Sequence, residues 1–141
     1  MTNFRYLVEH WIGPGNYSTV LSGTIRAKNI YSARRAMRWE AWGWARANHK
    51  LLFPEPPTEG RSLRAAMLNI TVCSPTGRRI KSATLYLSPQ PYCPDGRPHI
   101  LEAHGRRGTR CIQCGLVEER QQGGGAPIYY RVPAPAEEVA S

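Results

Sequence analysis

Apolar and polar residues alternate from the start of the chain. Phe4, Tyr6, Val8, His10 and Ile12 interleave with Arg5, Leu7, Glu9 and Trp11. A period of two with aromatic and branched residues predicts a β-strand. Gly13-Pro14-Gly15-Asn16 supplies a turn, and Tyr17, Thr19, Leu21, Gly23, Ile25 and Ala27 begin a second alternation. These segments predict a hairpin in which Gly23 marks a bulge or a close backbone approach. The period then changes. Asn29 is placed to cap a helix over about Ile30 to Asn48, with Ile30, Ala33, Met37, Ala41 and Trp44 as its core stripe. Leu52 to Ser62 is rich in proline and predicts a loop. Leu68, Ile70 and Val72 predict a third strand, Ser74 to Arg78 a turn, and Ile80 to Leu87 a fourth strand.

Ser88-Pro89-Gln90-Pro91 breaks this pattern and marks a boundary. The predicted class is α+β: a small ββαββ domain over 1–91, with an antiparallel sheet and one long helix, followed by a zinc-knuckle or zinc-ribbon module over 92–120. Residues 121–141 read as a Gly-rich link, a short strand over Ile128 to Val132 and a flexible tail from Pro133. That strand returns either to the sheet or to the zinc module.

Composition narrows the function classes. The 141 residues are 41% apolar and 21% charged, too apolar for a wholly disordered chain. No uncharged run is long enough to span a bilayer, and the first residues lack the apolar core of a secretory signal. The expectation is a cytoplasmic protein with no membrane partner. Net charge is +9. Residues 1–91 hold 13 Lys or Arg against 4 Asp or Glu, whereas 92–141 hold 6 of each. A basic domain attracts polyanions; a solvated surface charge without a partner is the alternative. Arg outnumbers Lys by 16 to 3, which reflects either a GC-rich genome or bidentate phosphate contacts.

Residues 92–120 contain three of the four Cys and two of the four His. Cys111-Ile112-Gln113-Cys114-Gly115 is a C-x2-C-G pair. Two intervening residues let both sulfurs reach one ion, and the Gly relieves crowding where backbone amides turn toward the thiolates. Cys93 adds a third thiolate, and Pro94-Asp95-Gly96 turns the chain toward His99. The expected set is Cys93, His99, Cys111 and Cys114 around a structural Zn2+, saturated and tetrahedral. His104 is the alternative fourth ligand. His99 is favoured because Ile100 and Leu101 then start a strand packing against Leu116 and Val117. Cys73 offers an all-thiolate variant from a different element. A redox C-x2-C needs its pair at a helix N-terminus after a strand, which the flanking residues do not predict, and disulfides do not suit a cytoplasmic chain.

On Cys93, Pro94, Asp95, Gly96, His99 and the Cys111, Cys114, Gly115 group, this segment resembles the small zinc-ribbon or zinc-knuckle modules of actinobacterial phages and mobile elements. The stretch GTIRAKNIYSARRAM leading into the helix resembles such proteins too. The resemblance implies an origin and a metal, with the host cytoplasm or a virion as the setting.

The helix face opposite the core stripe carries Tyr31, Arg35, Arg38, Trp39, Trp42 and Arg46. Arg bridges phosphates and exposed aromatics stack on bases. Arg and Trp are also enriched at protein interface hot spots, and burial of both Trp under the proline-rich loop is the non-functional alternative. Arg106, Arg107 and Arg110 form a second basic cluster at a predicted hairpin tip. No nucleophile elbow, Walker loop or H-E-x-x-H occurs, so no enzyme and no small-molecule substrate is expected. The expected function is a small zinc-stabilised nucleic-acid-binding accessory or regulatory protein. The alternative is a protein-interaction module of a phage or mobile element, binding a host complex or forming part of a virion.

Overall fold

The computed structural model describes residues 1–133 and shows a mixed α+β protein with antiparallel sheets and one long helix. The tail predicted from Pro133 onward lies, beyond Pro133 itself, outside the described residues. The elements are β1 (Thr2–Gly13), β2 (Asn16–Ala27), α1 (Ile30–Ala47), a helical turn α2 (His49–Leu52), β3 (Leu63–Arg64), β4 (Ala66–Cys73) and β5 (Ile80–Leu87). They are followed by β6 (Leu101–His104), β7 (Gly108–Cys111), β8 (Leu116–Glu119) and β9 (Ile128–Arg131). The described residues form two compact units, 1–49 with 67–86, and 50–66 with 87–133.

The first unit is built on a four-stranded sheet in the order β2-β1-β4-β5. β4 is its clearest case of period-two burial. Ala66, Leu68, Ile70 and Val72 are buried, and the residues between them are half-exposed. Val8 pairs with Ile70 and Phe4 with Ile25, so the apolar face runs continuously across strands. α1 covers that face with Ile30, Ala33, Met37, Ala41 and Ala45. Three of these are Ala, and their small side chains let the helix axis approach the sheet closely. Ala45 occupies the core position expected for Trp44, whose bulk is only half-buried. Asn29 caps the helix as predicted, its Oδ1 accepting from the Ser32 N–H at 2.9 Å. On the opposite sheet face Thr84 donates to Asn69 Oδ1 at 3.2 Å.

Gly23 pairs with Tyr6 across β1 and β2. A Cβ there would meet the Tyr6 hydroxyl at 2.9 Å, so the close approach is to a neighbouring ring. The register shifts lie elsewhere, at Val8/Glu9 and Trp11/Gly13.

The second unit is a five-stranded sheet in the order β3-β9-β8-β7-β6. Its buried cluster is Ala65, Cys93, Cys111, Leu116 and Tyr129. Two of those five are cysteines, so the core is built around thiols rather than beside them. Three features differ from the sequence reading. β3 is absent from it, because a two-residue strand is too short to show alternation and exists through pairing with β9. That pairing draws residues 50–66 into the second unit, although the sequence pattern groups them with 1–91. Ile100 and Leu101 are 54% and 57% exposed and do not pack on Leu116 and Val117. β7 stands between β6 and β8, so an edge strand carries them instead. β9 settles the alternative for Ile128 to Val132: it joins the sheet of the cysteine-bearing unit.

Candidate functional site

Two tight turns bring the four metal-ligating side chains together. In the first, the Gly96 N–H donates to the Cys93 carbonyl at 2.8 Å, and the Cys93 N–H donates to the Arg97 carbonyl at 2.9 Å. The chain thereby doubles back after Cys93 and delivers His99. In the second, the Gly115 N–H donates to the Cys111 carbonyl at 3.0 Å. Gly115 sits at φ 76°, in the left-handed region that a side chain disfavours, and so closes the turn that holds Cys111 and Cys114 together.

The ligand atoms of Cys93, His99, Cys111 and Cys114 all lie within 4.8 Å of one another, close enough to hold a metal ion. Cys93 Sγ is 3.6 Å from Cys111 Sγ and 3.4 Å from His99 Nδ1, and Cys114 Sγ is 3.5 Å from the same nitrogen. The far side of the ring fixes its tautomer. His99 Nε2 lies 2.9 Å from the Gln90 carbonyl oxygen, which can only accept, so Nε2 carries the proton and Nδ1 presents its lone pair to the sulfurs. His104 is not in this group. It lies on β6 opposite Gly108. Cys73 lies on β4 in the first unit, opposite Arg5.

The thiols are unlike one another. Burial pushes the Cys93 thiol up to about 12, and the neighbouring sulfurs of Cys111 and Cys114 add to the rise. Burial also opposes ionisation of Cys111, but the backbone N–H of Cys114, the contact with the His99 ring and the backbone N–H groups of Gln113 and Ile100 outweigh it and bring the thiol down to about 6. The backbone of the second turn is thus arranged for a thiolate.

Arg131, on β9, ties the ligand-bearing segments together and carries no signal in the sequence pattern. Its Nη1 donates to the Cys114 carbonyl at 2.7 Å and its Nε to the Pro57 carbonyl at 3.2 Å. Its Nη2 donates to the side-chain oxygen of Gln90, the residue whose carbonyl orients His99. The Val132 N–H adds a bond to the Gly115 carbonyl at 2.9 Å.

In the first unit, Arg35, Arg38, Trp39 and Trp42 from α1 and Leu85 from β5 line an open groove of about 490 Å³. Trp39 is 71% exposed, so it is not a packed core ring, and Trp42 is half-buried. Arg46 lies in the last turn of α1, exposed, and does not line the groove. Tyr31 is engaged with cations of its own unit: Lys81 Nζ lies 5.3 Å and the Arg34 guanidinium 5.8 Å from its ring centre. Arg106 and Arg107 are exposed in the turn between β6 and β7. Arg110 lies on β7 and is ion-paired to Glu102 at 2.7 Å across that hairpin.

No helix of the described residues is long and apolar enough to cross a membrane. No protein-family model, curated protein or solved structure matches the chain.

Proposed function

We propose that this chain is a zinc-stabilised protein that binds nucleic acid, as an accessory or regulatory factor, through its first unit. In this reading the first unit is the ββαββ domain and the second a zinc-ribbon module. Zinc is the ion that three thiolates and an imidazole favour. A tetrahedral centre with zinc–sulfur bonds of about 2.3 Å and zinc–nitrogen bonds of about 2.0 Å has S···S edges of about 3.8 Å and S···N edges of about 3.5 Å. Three of the six separations here are close to those edges, 3.6 Å for sulfur to sulfur and 3.4 and 3.5 Å for sulfur to nitrogen. Three thiolates and an imidazole fill all four positions, which suits a structural role. An ion there replaces the apolar core that so small a unit lacks.

The observation that carries the nucleic-acid reading is the segregation of charge. The first unit holds ten Lys and Arg against two Glu, a net of +8, and the rest of the sequence holds nine against eight. The groove with its two Arg and exposed Trp39 lies in the unit that carries the excess. A protein partner is the second reading, favoured by the apolar Leu85 and Trp walls of the same groove.

Salt separates the two. The test is the affinity of the zinc-loaded chain for mixed-sequence oligonucleotides across a salt series. Steep weakening as salt rises, from counterion release, supports the proposal. Absence of binding at low salt overturns it and moves the groove to a protein partner.

A further inference from the structure

We infer that the groove between α1 and β5 takes an unpaired base of a single-stranded nucleic acid, stacked on Trp39. The inference rests on the nucleic-acid reading above and adds the strandedness of the ligand and the residue that senses it.

Arg35, Arg38, Trp39 and Trp42 stand at i, i+3, i+4 and i+7 on α1, so two cations and two rings share one helix face. A phosphate held by Arg35 or Arg38 leaves the adjoining base within reach of that face. An unpaired base has a free face, and an exposed indole can cover it.

The groove, of about 490 Å³, has room for a base. It is lined by two indole rings, Leu85 and two Arg, and among these described lining residues there is no carboxylate to repel a phosphate. A duplex keeps its base faces inside the stack and presents phosphates and base edges, so it would engage Arg35 and Arg38 and leave Trp39 without a face to stack on. Trp39 at 71% exposure is the part of this surface that a duplex does not explain.

The experiment uses the full zinc-loaded chain with a labelled mixed-sequence single strand and its matching duplex, at one fixed salt concentration. The expected result is tighter binding of the single strand. Trp39→Ala weakens it roughly tenfold or more, the scale of one lost base–aromatic stack. Trp39→Phe restores most of the loss, because a ring remains. The duplex is unmoved by either change, while Arg38→Gln weakens both ligands and flattens their salt dependence by about one counterion. Equal affinity for the two ligands, with Trp39→Ala silent and Arg38→Gln costly, overturns the stacking inference and leaves the nucleic-acid reading standing. Binding to neither ligand overturns both.

Discussion

The guanidinium of Arg131 donates to the carbonyl of Cys114 at 2.7 Å, which places a fixed positive charge beside one of the four candidate metal ligands. Its other two hydrogen bonds go to the Pro57 carbonyl and the Gln90 side chain, also uncharged acceptors. In the proposed reading, Zn2+ with three thiolates and a neutral imidazole would carry a net charge of −1. Arg131 would then complement the centre electrostatically, and it positions both Cys114 and, through Gln90, His99.

Arg131→Met should weaken zinc affinity by roughly 10- to 100-fold, the usual cost of losing an outer-shell partner. Transfer of zinc to a colour-changing chelator measures this. Lys keeps the charge but not the three-way fork, so Arg131→Lys should fall between Met and the native residue. Unchanged transfer in both variants would show that Arg131 only braces the sheet.

Cys111→Ser should release the metal and unfold the second unit, because binding and folding are one event in so small a core. Hydrogen exchange read residue by residue is the appropriate measurement. The amides of β7, β8 and β9 should lose protection while those of β1 and β4 keep theirs. Retention of one ion per chain would count against the ligand assignment.

The thiols make zinc affinity depend on pH with a predictable change of slope. The thiolate is the ligand, so protons compete with the ion and affinity falls as pH falls. Cys93, raised to about 12, holds its proton at neutral pH in the ion-free protein and must release it on binding. Cys111, lowered to about 6, is already ionised at neutral pH and takes up a proton only below that value. Apparent affinity should therefore fall more steeply with acid below about 6 than above it. A competition titration at several pH values, with proton release followed by calorimetry in two buffers, checks both the sign and the break. A slope that does not steepen would contradict the assignment of Cys111.

Ile70, on β4 opposite Val8 of β1, is fully buried, whereas Trp39 is 71% exposed. Ile70→Ala should cost about 2–5 kcal/mol of stability through lost burial and the cavity left behind. Trp39→Ala should change it by no more than about 0.5 kcal/mol. Urea unfolding of the two variants tests the contrast. A large loss at Trp39 would place the ring in the core and remove it from any binding surface.

Much of this was legible along the chain because its signals are local. Asn29 sits at the junction of two periodicities, and the alternation through Leu68, Ile70 and Val72 reports its buried face directly. The Cys111-x2-Cys114-Gly115 turn is likewise a local device. What escaped is long-range. Arg131 meets Gln90, Cys114 and Pro57, residues 41, 17 and 74 positions away, and no pattern around Arg131 points to them. β3 exists only through β9, so residues 50–66 look like a linker until their partner is known. Ile100 and Leu101 misled because an apolar pair promises burial, yet Leu101 opens an edge strand paired, among the described residues, with β7 alone, and Ile100 precedes it, which leaves both in water. The groove was half visible: the Arg and Trp face follows from helical spacing, whereas Leu85 arrives from β5.

If the second unit is organised around one closed zinc centre, X-ray absorption at the zinc edge of the purified full chain reads its donor set, with the metal content measured on the same sample. The expected result is one zinc per chain with three sulfur neighbours at about 2.3 Å and one nitrogen at about 2.0 Å, the latter with the outer-shell scattering of an imidazole ring. Fewer than three sulfur neighbours, a light-atom neighbour without that ring scattering, or a chain that purifies folded without metal, would contradict it.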